Sequence, residues 1–282
     1  SKIKSLIVAN DTRPTYKQMQ RGTMAKYLRG AIVNAGHILA ETTNEKFEEK
    51  LKGLQYKGIY ENVPMPFIYV PEYDELRDSD ITFSAKKNID GIRATHDFIL
   101  LYHGRQEWKT YHNDFTGKNT HYLVQGFADY VKNNAASKSC LVMLEYGSDV
   151  IYTKELVKEL GIEQKVFWLP KMYRKEIMYV IKQVDVCSGE FGYSYLTFGT
   201  IVEAMLMKKP VITYRDDSLY TAHYQTLYPC FNAREPNEIA AAITEAAQNP
   251  HETKAMGMAA SEWIRKHFIA NPLQHLINII EQ

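Results

Sequence analysis

Residues 97–104, DFILLYHG, and residues 140–147, CLVMLEYG, are apolar runs of strand length. Between them, residues 120–134, THYLVQGFADYVKNN, carry apolar side chains at helical period. Strand, helix, strand in that order predicts a parallel pair joined by a crossover helix. The alternation continues with a helix at 151–161 (IYTKELVKELG), a strand at 165–170 (KVFWLP), a helix at 175–183 (KEIMYVIKQ) and a strand at 184–189 (VDVCSG). A helix at 199–209 (GTIVEAMLMKK), a strand at 210–214 (PVITY), a helix at 236–249 (PNEIAAAITEAAQN) and a helical stretch over 252–281 complete it. These residues predict an α/β fold, a doubly wound parallel sheet of the Rossmann-like kind with five or more strands.

A shorter alternation precedes it. KSLIVAN (4–10), GHILAETT (36–43) and KGIYENV (57–63) have strand character, while residues 18–35 and 44–54 have helical period. Asn44, behind Thr42 and Thr43, is placed to cap the second helix. Pro64, Pro66 and Pro71 then end regular structure and suggest a linker. Three strands cover few sheet faces, so this first block is partial.

Bulk composition narrows the function classes. The 282 residues carry 34 basic and 33 acidic side chains, a formal charge of +1, with 45% hydrophobic and 24% charged residues. A folded, near-neutral chain lacks the clustered basic excess that nucleic acid demands, so no nucleic-acid partner is expected. The three cysteines, at 140, 187 and 230, are far apart and without C-x-x-C spacing, which indicates neither zinc nor a disulfide framework and suits a reducing cytoplasm. No apolar run approaches the roughly 20 residues of a membrane-spanning helix, which leaves peripheral membrane contact only. The sequence holds no Walker A string, no G-x-G-x-x-G and no G-x-S-x-G elbow.

In a doubly wound sheet, ligands bind beyond the carboxyl ends of the strands. Four such loops are suggestive: His103-Gly104-Arg105, Tyr146-Gly147-Ser148, Pro170-Lys171, and residues 189–200, GEFGYSYLTFGT. Glycine admits close backbone approach, arginine forks onto phosphate oxygens, and a helix N-terminus offers free N–H groups to an anion. Together they describe a diphosphate site, although a glycine after a strand, taken alone, is more often just a turn.

The succession FILLYHGR, GKNTHYLVQGFADYVK, CLVMLEYGSD, KELGIEQKVFWLP, VDVCSG and FGTIVEAMLMKKPVI is similar in order and spacing to the C-terminal domain of GT-B family-4 glycosyltransferases. The likeness covers residues 97 to 282, and Glu203-Ala204-Met205 followed by Pro210-Val211-Ile212 is its most specific part. Residues 31–54 and Tyr60-Glu61-Asn62-Val63-Pro64 resemble the end of that superfamily's N-terminal domain and the linker that follows it. The resemblance therefore implies residues 1–93 as a partial, acceptor-side block with its linker and residues 94–282 as the nucleotide-sugar-binding domain. The early acceptor-side strands would lie outside this chain, whether it is shortened or naturally brief.

The resemblance also implies roles. Arg105 and Lys118 match the basic pair on the donor diphosphate, which would meet the leaving-group charge without a metal. Here the 106–116 segment, QEWKTYHNDFT, separates them more widely than is usual in the family, so Lys109 competes for the second role. Glu203 matches the glutamate that accepts hydrogen bonds from the ribose diol, with Gly199 and Thr200 presenting helix N–H groups nearby. Gly104 and Lys171 join the expected donor-binding set, and either Phe191-Gly192 or Phe198-Gly199 can supply the backbone that cradles the sugar, the second being preferred because it leads directly into the helix. Tyr195 stands where the family has its sugar-facing glutamate, and Glu190 in the same loop is the candidate to replace it. The activity implied is retaining transfer from a UDP- or GDP-sugar to a saccharide or lipid-linked acceptor, in polysaccharide or glycolipid synthesis, with no cofactor. Tyr195 also keeps open an inactive nucleotide-binding or interaction module.

Overall fold

A computed structural model describes residues 5–11, 22–42, 45–64, 69–111 and 117–281. The chain divides into two compact units, one comprising Ser1–Tyr69 with Arg265–Gln282 and the other Val70–Ile264.

In the first unit, β1 (Ser5–Asp11), β2 (Ala35–Thr42) and β3 (Ile59–Asn62) form a parallel sheet in sequence order, connected by α1 (Thr23–Asn34) and α2 (Glu45–Gly53). The expected β-α-β-α-β order holds here, while the proposed cap at Asn44 lies outside the described residues. Ile32, Ile38, Phe47 and Leu51 make its core. The chain's final helix returns to this unit: Leu276 and Ile279 pack against Leu39 and Val63, and His275 Nε2 lies 3.0 Å from Glu61 Oε2.

The second unit contains α3 (Val70–Asp74), α4 (Lys86–Thr95), β4 (Phe98–Tyr102), α5 (Thr120–Asn133), β5 (Ser139–Leu144), α6 (Val150–Glu159), β6 (Val166–Leu169) and α7 (Arg174–Gln183). It goes on with β7 (Val186–Ser188), α8 (Gly199–Leu206), β8 (Val211–Thr213), β9 (Phe231–Asn232), α9 (Pro236–Gln248) and α10 (Pro250–Arg265). Every strand pairing is parallel, and the order across the sheet is β6-β5-β4-β7-β8-β9. All residues of β4 and β5 are buried, which is why these strands read as unbroken apolar runs rather than as alternating ones. The order reverses between β4 and β7. That switch point opens a crevice at the carboxyl edge where ligands bind in such sheets.

Three features depart from the expectations. The unit boundary falls after Tyr69 rather than at 93/94. The cause is α4, on which Ile89 and Ile92 are buried, Asp90 Oδ1 accepts from Tyr179 of α7 at 2.7 Å, and Arg93 Nη1 donates to Asp185 at 2.7 Å. The two-residue β9 was too short to carry a pattern. The helix expected over 252–281 is broken by a π-helical turn at Lys266–Ala270 before α11 (Asn271–Glu281), and the division between units falls at Arg265. No helix among the described residues is long and apolar enough to cross a membrane.

Candidate active site

The loop after β4 is shaped by Tyr102, whose buried hydroxyl donates to Arg105 O at 3.1 Å and accepts from Thr120 Oγ1 at 3.1 Å. A Cβ on Gly104 would meet the Tyr102 ring at 2.9 Å, so a side chain there would displace the loop. The 106–111 segment is held from the neighbouring strand end. Asp149 Oδ2 accepts from the backbone N–H groups of Trp108, Lys109 and Thr110 at 2.6, 2.6 and 3.0 Å. Gln106 N–H donates to Tyr146 O at 2.8 Å. Burial works against the Asp149 charge, but hydrogen bonds from Thr110, Lys109 and Trp108 outweigh it and hold the carboxyl below its ordinary range. Lys109 is thereby turned outward onto the Tyr152 ring, 3.9 Å away, and Lys118 alone of the two reaches the switch point.

There Lys118 Nζ lies 2.5 Å from Glu190 Oε2, with the two side chains 8% and 6% exposed. The ammonium also sits 4.1 Å from the centroid of Phe198, the residue preceding α8. Backbone contact locks the two loops: Phe191 N–H donates to Lys118 O at 3.2 Å, and a Cβ on Gly192 would fall 2.0 Å from Gly117 O. Glu190 itself continues the sheet, with its N–H on Thr213 Oγ1 at 3.2 Å and its carbonyl accepting from Tyr214 N–H at 3.0 Å. Burial pushes its carboxyl up to about 7, although Lys118 pulls the other way.

At the start of α8, Phe198 O accepts from Ile201 and Val202 N–H at 2.9 and 3.0 Å. The N–H groups of Gly199 and Thr200 precede the first intrahelical donors and point out of the helix. Open space lies beside Gly199, and the buried Thr200 Oγ1 has no hydrogen-bond partner. This is the electropositive end of a helix next to a buried lysine. One turn on, Glu203 places Oε2 3.2 Å from His103 Nε2 and Oε1 3.6 Å from Arg174 Nε.

The structure thus brings together Lys118, Glu190 and Phe198, and beside them Gly199, Thr200 and Glu203 on α8. Arg105 is 45% exposed and pairs with Glu107 at 3.1 Å, and Gly104 is buried under the same loop. Lys171 is exposed and lies 4.9 Å from the Tyr146 ring. Tyr195 rests on Phe198 with ring centroids 5.1 Å apart. Sequence reasoning missed Arg174 and Asp149, which no local motif marks, and named His103 within a suggestive loop without giving it a role. The thiols of Cys140 and Cys187 are pushed up to about 12 by burial, and that of Cys230 to about 11, so none offers a thiolate near neutrality. Among the described residues no three His, Cys, Asp or Glu side chains are grouped to hold a metal ion.

A six-stranded parallel sheet in this order, with a buried lysine and a helix N-terminus at its switch point, is a Rossmann-like arrangement suited to an anionic ligand. The chain belongs to the glycosyl transferases group 1 family, whose model matches residues 97–263, more than half of its length. It is therefore a glycosyltransferase chain. Among solved structures it is similar in fold to Anabaena Alr3699/HepE in complex with UDP, with a TM-score of 0.62 and 16% identity over 99% of this chain and 72% of that one. A glycosyltransferase from Rickettsia africae gives a TM-score of 0.59 and 15% identity over 98% of this chain and 76% of that one. Sucrose-phosphate synthase from Thermosynechococcus elongatus gives 0.54 and 16% over 98% and 67%. At such identities the likeness is one of fold. No curated protein matches the chain in sequence.

Proposed function

We propose that this chain binds a nucleoside-diphosphate sugar, a UDP-sugar before a GDP-sugar, and transfers the sugar with retention to a saccharide or lipid-linked acceptor in polysaccharide or glycolipid synthesis. The observation that carries this is the buried Lys118–Glu190 pair at the switch point, against the residue that opens α8. Support for uridine comes from HepE, which is similar in fold and was solved both with UDP and with UDP-glucose.

In this reading the diphosphate lies on the N–H groups of Gly199 and Thr200, with Lys118 and the exposed Arg105 closing on its oxygens. Gly104 admits the phosphates close to the backbone, and Lys171 lines the outer edge. Glu203, an acceptor-only carboxylate, takes the two ribose hydroxyls. Glu190 takes hydroxyls of the transferred sugar, replacing the glutamate that Tyr195 has displaced. On reaction the bond from the sugar's C1 to the phosphate oxygen breaks, with the electron pair going to the phosphate. The acceptor oxygen bonds to C1 on the same face, and its proton goes to the departing phosphate. Lys118, Arg105 and the helix end stabilise the charge that develops there. We assign no metal ion to this step, and we place the enzyme in the cytoplasm with any membrane contact peripheral.

Titration of Glu203→Gln and Glu190→Gln with UDP and UDP-glucose tests the assignment. Glu203→Gln should weaken both ligands about tenfold or more, the worth of a hydrogen bond to a charged group. Glu190→Gln should weaken only the sugar nucleotide. Unchanged affinities in both variants overturn the site, and absence of UDP and GDP binding by the parent chain favours an interaction module.

A further inference from the structure

His103 is a buried imidazole with little to hold it. Its side chain is 1% exposed, and neither Nδ1 nor Nε2 has a hydrogen-bond partner. Nε2 nevertheless lies 3.2 Å from Glu203 Oε2, close but out of line for a hydrogen bond. The Tyr73 hydroxyl, on α3, is likewise buried and unpartnered, and burial and then the Glu203 charge push it up. Unsatisfied buried polar groups cost free energy that an apolar side chain of similar size would avoid. Their concentration around one carboxylate points to a ligand that completes the network.

The carboxylate also determines the imidazole's proton. With Oε2 facing Nε2, the tautomer bearing hydrogen on Nε2 is favoured, because the other would set a lone pair against a negative oxygen. Arg174 Nε lies 3.6 Å from the opposite oxygen, Oε1. Glu203 thus stands with Oε2 facing the His103 imidazole and Oε1 toward the half-exposed Arg174 guanidinium.

We propose that His103 is a positioning residue for ribose recognition: it steers the Glu203 carboxylate so that its free lone pairs meet both hydroxyls of the nucleotide's ribose. The inference rests on the assignment of Glu203 to the ribose. It predicts that selectivity for ribose over deoxyribose resides in the pair rather than in Glu203 alone.

The test is calorimetric titration of the chain and of His103→Leu, His103→Gln and Glu203→Gln with UDP and 2′-deoxy-UDP. The parent should prefer UDP by about tenfold or more. His103→Leu should bring that ratio close to one by weakening UDP several-fold more than 2′-deoxy-UDP, which retains only the 3′-hydroxyl for Glu203 to meet. His103→Gln, which keeps an N–H donor, should recover part of the ratio, and it stands in if the leucine variant does not fold. Equal weakening of both ligands, or no change, in the His103 variants overturns the proposal by reducing His103 to a core residue. If Glu203→Gln retains the parent ratio, the ribose assignment itself falls. If it abolishes the ratio while His103→Leu does not, only the present inference fails.

Discussion

Lys118 Nζ and Glu190 Oε2 lie 2.5 Å apart, both nearly out of solvent. One comes from the loop between β4 and α5, the other from the end of β7, the strand beside β4. The carboxyl faces the same ammonium on which the donor phosphate is proposed to rest. Lys118→Met should therefore weaken UDP by about 10- to 100-fold, since charge-assisted hydrogen bonds to phosphate are worth about 1.5–3 kcal/mol. Uridine, which has no phosphate, should bind within about twofold of the parent. Calorimetry with both ligands checks the contrast, and equal losses would remove Lys118 from the diphosphate.

The same pair predicts a dependence of stability on pH. The Glu190 carboxyl is raised from an ordinary value of 4.5 to about 7 by burial. A raised carboxyl stabilises the fold fully below its unfolded value and loses that contribution as pH climbs through about 7. The melting temperature of the parent relative to Glu190→Gln should fall between pH 4.5 and 7 and level off above pH 8. Each kcal/mol corresponds to about 2–4 °C in a unit of this size. A difference that does not vary with pH would show that Glu190 titrates normally.

Gly192 is where the lysine loop and the glutamate loop touch. Its added Cβ would fall 2.0 Å from Gly117 O, which is backbone and cannot swing aside. Gly192→Ala should force the loops apart and lower stability by about 1–3 kcal/mol, the usual cost of overpacking. UDP affinity should fall with it. By contrast Gly199→Ala meets open space and should leave the melting temperature close to the parent's. Parallel thermal melts and UDP titrations of the two variants give the comparison.

Asp149 governs the 106–111 segment from the start of α6. Its carboxylate accepts three successive backbone N–H groups through Oδ2, and Asp149→Asn would replace part of that acceptor capacity with donors. Amide exchange at residues 108–110 should accelerate, and UDP affinity should decline through loss of order around Lys118 and Arg105. Because the carboxyl is held below its ordinary range, the stability it contributes is present above the unfolded value near 3.8 and is lost as pH falls below it. Amide exchange followed by mass spectrometry, with UDP titration alongside, would detect both effects. Unchanged exchange would leave the loop held by its other contacts, such as Gln106 N–H on Tyr146 O and Trp108 Nε1 on Thr153 Oγ1.

Transfer itself should survive chelation. If Lys118, Arg105 and the α8 terminus carry the leaving-group charge, adding EDTA should leave the rate of sugar transfer or donor hydrolysis within about twofold, because metal stabilisation of phosphate is worth several kcal/mol where it operates. Collapse of the rate, with recovery on adding a divalent cation, would reassign that charge to a metal.

The sequence by itself determined the alternation of strands and helices, the two blocks, and the places where Lys118, Phe198, Glu190 and Glu203 stand at loop ends and a helix start. Burial on both faces turns parallel strands into apolar runs, and helices repeat their apolar face every three to four residues, so such signals are local. Helix Lys86–Thr95 was missed, since Gly91 interrupts a pattern that rests on Ile89 and Ile92. Only the tertiary structure decided which charge meets which: Lys118 with Glu190, Lys109 with Tyr152, Arg105 with Glu107, and His103 with Glu203. Most of these partners are far apart along the chain. Lys118 meets Glu190, and His103 meets Glu203, because the sheet order reverses between β4 and β7, and no residue-to-residue periodicity encodes that reversal.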